Sequence, residues 1–382
     1  MTSFIIKKSW LLGLATAILW SCSGSSDSQK EDPSIDVQAK NRTEMLTNIA
    51  DNIILPSYAN FKVKLDAMTS KSDAFTTKPD AASLTEFRQA WVDAYTEWQK
   101  VEGFEFGPAD KYVLRNYFNI YPANVTGITS DIADPASNLE VPAAYDRQGF
   151  PALDYLINGV GATDAAIVAF YTAAGEGTKR TAHVKRLTAR MSSVFGKVLA
   201  EWTSGYRDTF VSKTGLDIGS STSIMINAYV LYYERYIRSG KFGIPSGAMA
   251  NGVPAAEKVE AFYKKDLSLT LAKTAHQSVI DFFNGKNAKT GVEGPSLKTY
   301  LNALGAKDAA SGKALTEIIL AQFDVSKKKL DTLSPNLYEQ VKTNNQLMKD
   351  TYTEMQKVVR MLKVDLTSAI SVTITYTDND GD

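Results

Sequence analysis

Cysteine is nearly absent from this sequence. Cys22 is the only one in 382 residues, so no internal disulfide can form. Histidine is almost as scarce, with only His183 and His276. There is no His-Glu-x-x-His pair for a hydrolytic zinc, which needs typically three protein ligands, an open position and a base for its water. No Gly-x-Ser-x-Gly elbow presents a serine nucleophile. Neither sign of charge is in excess: Lys+Arg 42 balance Asp+Glu 42, so no whole-molecule field draws the chain to nucleic acid, and no nucleic-acid partner is expected. No apolar run reaches the ~20 residues that span a bilayer. What is present is an ordinary globular balance, 44% hydrophobic and 22% charged, in a chain long enough for about two domains.

The N-terminus carries its own pattern. Lys7 and Lys8 precede the apolar stretch from Trp10 to Trp20, the charged start and short hydrophobic middle of a secretory signal. Leu19-Trp20-Ser21-Cys22 is similar to the lipobox of bacterial lipoproteins, whose cysteine is acylated and becomes the mature N-terminus. The similarity implies a lipoprotein signal peptide over 1–21, a lipidation site at Cys22 and a polar tether over 22–36. The expected location is the cell envelope, with the membrane as partner through Cys22. Serine directly after that cysteine resembles lipoproteins sorted to the outer membrane, and the sequence does not say which face the protein occupies.

Beyond the tether the apolar residues recur at helical steps. Met45, Ile49 and Ile53, continuing past Pro56 to Phe61, Leu65 and Met68, predict a long helix kinked or broken at the proline, then a polar connection from Thr69 to Pro79. Ser83-Leu84-Thr85-Glu86 has the form of a capping box, and Leu84, Phe87, Trp91, Ala94, Tyr95, Trp98 and Val101 make one core stripe behind it. Asp131 to Ala144 reads as a long loop delivering the chain to Gly149. There a glycine closely followed by Pro151 reads as a helix entrance, with Leu153, Leu156 and Ile157 turned inward and Asp154 in the first turn, where the helix dipole favours an anion. Gly149 lets the entering backbone bend or approach another segment closely.

Thr163-Asp164 caps a short helix through Tyr171, and Leu187, Met191, Val194, Val198 and Trp202 mark a longer one. His183, among Lys179, Arg180, Lys185 and Arg186, reads as a solvated side chain. His276, with Val279 and Ile280 at i+3 and i+4, reads as a satisfied helix histidine. Gly215 to Ser220 is the expected boundary between an N-terminal half, 37–214, and a C-terminal half, 215–382. Helical texture fills the second half until Ile370 to Tyr376, which alternates as an extended strand does.

Several ordered landmarks, from about Ala39 to the end, resemble the imelysin family of bacterial envelope proteins, which are classed as metallopeptidases and linked to iron uptake. Gly149-Phe150-Pro151-Ala152-Leu153-Asp154 is similar to the family's Gly-x-His-x-x-Glu signature, with Pro151 in the histidine's place and Asp154 in the glutamate's. Glu102-Gly103-Phe104-Glu105-Phe106-Gly107-Pro108 resembles a second hallmark, and Tyr121-Pro122 a Trp-Pro segment. Tyr95 stands where an arginine commonly follows the tryptophan by four.

The resemblance implies an all-α fold of two helical-bundle halves, a short extended C-terminal segment and a cleft between the halves. Asp154, Glu102, Tyr121, Gly149 and Pro151 become the expected ligand-binding residues. No catalytic residue is expected, because proline can neither bind a metal nor move a proton. The expected function is a non-catalytic envelope binding protein in iron or haem-related uptake, working with an envelope or iron-uptake partner. Carboxylate and phenol oxygens would suit iron or another divalent metal, and no cofactor is assigned. The alternatives are an active metallopeptidase of the imelysin type and a glycan-binding surface lipoprotein using Tyr112, Tyr117, Phe118 and Tyr121.

Overall fold

The helical periodicity of the sequence is realised in the computed structural model, which describes residues 33–377 and is all-α over them. The signal peptide, Cys22 and the tether up to residue 32 lie outside the described residues. Pro33–Asn48 (α1) passes through a π-helical stretch, Ile49–Ile54, into Leu55–Thr77 (α2) without interruption. Pro56 falls in the first turn of α2, directly after the widened turns, where a residue lacking an N–H is accommodated. The polar connection expected from Thr69 is instead the last turns of α2. Met68, Ser72, Phe75 and Thr76 continue its buried face, and Thr69 and Thr76 donate their hydroxyls back to the carbonyls of Leu65 (3.0 Å) and Ser72 (2.7 Å).

Ala81–Trp98 (α3) is capped by Asp80, three residues before the expected cap. Asp80 accepts from the Ser83 amide at 2.8 Å while Ser83 Oγ accepts from the Asp80 amide at 3.2 Å. Its predicted aromatic stripe is buried throughout. Part of the expected 131–144 loop is helical: Val125–Ala133 (α4) is capped by Asn124, and Asp131 turns inward to pair with Arg147 at 3.1 Å. Gly149–Asp154 (α5) starts at the predicted glycine and runs on as π-helix over Tyr155–Gly159. Asp154 therefore closes α5 rather than sitting in its first turn. Thr163 caps Asp164–Thr172 as expected, accepting from the Ala166 amide at 3.2 Å.

Gly177–Glu201 (α6) and α3 both pack against α2, making the N-terminal bundle around an aromatic core. Phe61 meets Phe195 edge-on at 4.8 Å, Trp98 stacks on Phe118 at 4.7 Å, and Tyr95 stacks on Phe150 at 4.4 Å. His183 is not solvated: it is 3% exposed, because His183, Leu187 and Met191 share the i, i+4 stripe of α6 that faces inward.

In the second half, Ser221–Leu231 (α7) continues through a π-helical stretch, Tyr232–Gly243. Ser268–Asn284 (α8) ends at Gly285 in the left-handed conformation, φ +71, as the sequence predicts. Leu315–Leu330 (α9) and Leu337–Arg360 (α10) pack on each other and enclose Tyr232–Gly243 together with α8. His276, on α8, is buried and satisfied, with Tyr233 Oη 3.3 Å from Nδ1 and the Phe323 carbonyl 3.1 Å from Nε2.

The first helix crosses to this half. Arg42 donates to Tyr300 Oη (2.9 Å), as well as to the Thr214 carbonyl (2.6 Å) at the end of its own half, and Asn48 donates to the carbonyls of Gly285 (3.1 Å) and Pro295 (2.9 Å). After Ile370 the chain is extended but pairs with no strand among the described residues. The Asn227 side-chain amide supplies a substitute ladder, donating to the Thr373 carbonyl (2.9 Å) and accepting from the Thr375 amide (2.8 Å).

Candidate functional site

Where α3 unwinds, the chain turns Gln99 and Glu102 into the interior, and Asn119 joins them just after the short helix Leu114–Phe118. Lys241 reaches the same place from the end of the π-helical stretch Tyr232–Gly243, and Glu260 arrives on the loop that precedes α8. Lys241 and Glu260 form an ion pair, each 2% exposed on its side chain. Lys241 Nζ also donates to Gln99 Oε1 at 2.8 Å. Glu260 Oε1 accepts from Gln99 (3.1 Å), Asn119 (2.8 Å) and Tyr95 Oη (3.1 Å). Asn119 Nδ2 additionally donates to Glu102 Oε1 at 3.0 Å, and Tyr232 Oη lies 3.4 Å from Glu102 Oε2.

Two carboxylates thus face one ammonium. Burial raises the Glu102 carboxyl above its usual range; Lys241 opposes that shift and Glu260 adds to it. Next to it, burial pushes Glu105 up to about 7 against the Arg115 guanidinium, whose backbone N–H donates to both Glu105 oxygens. Arg115 lies 3.8 Å over the Tyr236 ring and donates to the Glu102 carbonyl at 2.8 Å. Tyr121 is half-buried at the edge of this cluster. Its phenol is held protonated by burial and by the carboxylates of Glu260 and Glu102. A Cβ on Gly240 would come within 3.1 Å of that hydroxyl.

Asp154 sits apart from these hydrogen bonds. It is 1% exposed, and its oxygens accept from the amides of Tyr263 (2.8 Å) and Lys264 (3.0 Å) and from Asn158 Nδ2 (3.0 Å). Burial raises it to about 7 against those hydrogen bonds. The amides it holds belong to the loop that carries Glu260, so Asp154 fastens that loop while Glu260 enters the cluster. Pro151 is buried and its ring has no polar atom to offer. Gly149, at φ +75, lies so close to the Phe118 carbonyl that a Cβ would approach its oxygen to 2.3 Å. The structure thus brings Glu102 and Tyr121 together, and leaves Asp154, Gly149 and Pro151 as packing and loop-fastening residues beside them.

This donor set does not fit a metal at the motif position. The Pro151 ring has no donor atom, its carbonyl accepts from the Tyr155 amide, and both Asp154 oxygens are turned to N–H groups. Among the described residues, no group of three or more His, Cys, Asp or Glu is placed to hold an ion. Of the aromatics considered as a sugar platform, Phe118 is fully buried under Trp98, and Tyr117 meets Tyr145 edge-on at 5.1 Å.

Sequence reasoning missed Lys241, Glu260, Gln99 and Asn119. One signal was available for Lys241: it stands four residues after Ile237 and next to Phe242, on the buried face of an aromatic-rich helix.

A family model described as Imelysin matches residues 54–363. The chain belongs to the imelysin family. The fold agrees with two solved structures. An iron-regulated protein A precursor from Parabacteroides distasonis has TM-score 0.70 and 17% identity, covering 87% of this chain and 95% of that one. An imelysin-like protein from Psychrobacter arcticum has TM-score 0.66 and 16% identity, covering 88% of this chain and 98% of that one. The curated Iron-regulated protein A of Synechococcus elongatus is 28% identical over 120 residues. That match spans 31% of this imelysin-family chain and 33% of the cyanobacterial protein.

Proposed function

We propose that this imelysin-family protein is a non-catalytic binding lipoprotein of the cell envelope that serves iron or haem-related uptake. The observation that carries the reading is the state of the motif position: a buried proline replaces the imidazole, and the neighbouring carboxylate is spent on two backbone amides and Asn158. A zinc hydrolase needs an open coordination position and a base free to activate water, and Asp154 is free for neither. The iron side of the reading is supported by the name iron-regulated protein A, carried by one curated relative and one structural neighbour. The envelope location rests on the signal-like N-terminus and Cys22, with the outer membrane as the favoured site and an envelope or iron-uptake protein as partner.

Incubation of the purified protein with an unstructured substrate such as casein tests the non-catalytic half. No cleavage beyond background is expected, and cleavage abolished by a metal chelator overturns the reading. Incorporation of labelled fatty acid, lost in Cys22→Ala, tests the anchor.

A further inference from the structure

Away from the motif, a groove of about 690 Å3 opens where α2 and the end of α3 meet α8 and α9. That is within the ~300–1,000 Å3 of small-molecule sites. Ile53, Phe104, Phe282 and Leu330 supply apolar lining, with the two phenyl rings tilted against each other at 5.9 Å.

The charged lining is unbalanced. Lys100, Lys273, Lys286, Lys289 and Lys327 line it, against Glu97, Asp281 and Asp331. Each carboxylate is already matched: Glu97 with Lys100 (2.7 Å), Asp331 with Lys273 (2.7 Å) and Asp281 with Lys286 (3.4 Å). Lys289 and Lys327 have no carboxylate within ion-pair distance among the described residues, which leaves a formal excess of two positive charges. The turn bearing Lys289 is tied in place. The Ala288 amide donates to the Asn52 carbonyl (2.8 Å), Asn287 Nδ2 to Asn52 Oδ1 (2.9 Å), and Asn287 Oδ1 accepts from the amides of Lys289 (2.9 Å) and Thr290 (3.0 Å).

We propose that this groove binds a small polyanion with ring or other apolar faces and, resting on the uptake reading above, an iron(III) chelate that is anionic as a whole. A bare metal cation is repelled by the excess charge and finds no converging oxygens. A chelate brings its own ligands, rests an apolar edge on the little of Phe104 and Phe282 that the groove floor exposes, and sets its outer oxygens between Lys289 and Lys327.

The test uses the purified full-length lipoprotein in detergent, titrated calorimetrically with the ferric complex of a hexadentate tris-catecholate chelator. Binding is expected, falling with added salt and weakened roughly tenfold by each of Lys289→Glu and Lys327→Glu. Asp154→Ala, at a residue that does not line the groove, is expected to leave the affinity unchanged. The gallium(III) complex of the same chelator, equal in charge and shape, is expected to bind equally. Binding that ignores both lysine reversals overturns the groove assignment, and no binding to the unaltered protein overturns the ligand class. The binding-protein reading on which this rests fails on a different readout, chelator-sensitive proteolysis, so the two failures are distinguishable.

Discussion

Lys241 and Glu260 are the residues whose loss the interior tolerates least, because removing one leaves the other buried without its counter-charge. Lys241→Met alone is expected to cost about 3–5 kcal/mol, and Lys241→Met with Glu260→Leu to cost less than the sum of the two single changes, though Glu102 and the donors Tyr95, Gln99 and Asn119 still lose a partner. Denaturant titration of the two single variants and the double variant measures the coupling, and additive losses contradict it. His183 is the opposite case. Both ring nitrogens are buried without a partner, and burial together with Arg186 lowers the imidazole to about 4. His183→Leu keeps the apolar contacts of the α6 stripe and removes two unsatisfied polar atoms, so a gain of about 1 kcal/mol is expected at neutral pH. A loss shows that the ring has a partner after all.

At the scale of elements, the loop before α8 depends on Asp154. Two of its amides are held by that carboxylate, and Ala261 within it adopts φ +54, a left-handed conformation that costs an L-residue roughly 1–2 kcal/mol. Asp154→Ala is expected to destabilise by about 2 kcal/mol or more, since it strands two backbone donors. It should also raise hydrogen exchange at the Tyr263 and Lys264 amides ahead of the rest of the fold, and exchange that rises uniformly contradicts the fastening role. Ala261→Gly is expected to stabilise, by about 1 kcal/mol, through relief of the same conformation.

Elements are also where the sequence was most legible. The α3 stripe, the entrance at Gly149, the Thr163 cap and the end of α8 at Gly285 follow from spacing and side-chain chemistry within a few residues. The α2 extension was misread because Ser72 and Thr76 are polar by type yet lie on its buried face, satisfied by their own helix or a neighbour. His183 was misread because its charged sequence neighbours keep their own side chains partly or wholly in solvent while the stripe of His183, Leu187 and Met191 turns inward. The cluster around Glu260 was illegible for a different reason: its donors Gln99 and Asn119 lie 161 and 141 positions away in the chain, and no local pattern announces a pairing at that distance.

Over the whole molecule, two sets of buried groups set the pH dependence in opposite directions. Burial raises Glu102, and raises Glu105 and Asp154 to about 7, so the unfolded chain gives up these protons first. Their contribution to stability is complete below about pH 4 and is lost as pH rises through about 7. His183 and His276, lowered to about 4 mainly by burial, contribute stability above about pH 6.5 that is lost as pH falls through about 4. The two trends oppose each other over one window, so the histidines offset part of the decline that the carboxyls impose. His183→Leu should tilt the curve further, giving stability that declines more steeply as pH rises from about 4 to 7. Melting curves across that range measure the tilt, and a variant whose curve parallels the unaltered protein contradicts it.

The fold is tied across its length as well. Glu102 and Asn119 meet Lys241 and Glu260, and α1 is pinned to Gly285, Pro295 and Tyr300. Separately expressed 37–214 and 215–382 segments are each expected to lack cooperative unfolding, because each exposes half of that cluster.

The most direct measurement is the melting temperature of the unaltered protein and of Asp154→Ala, each with and without saturating zinc. A metal held by the native state raises the midpoint by mass action, whereas a carboxylate that only fastens a loop does not. The expected result is a lower midpoint for Asp154→Ala and no zinc-dependent rise in either protein. A rise in the unaltered protein that disappears in Asp154→Ala would show that the aspartate holds an ion, and that the proline-bearing motif still works as a metal centre.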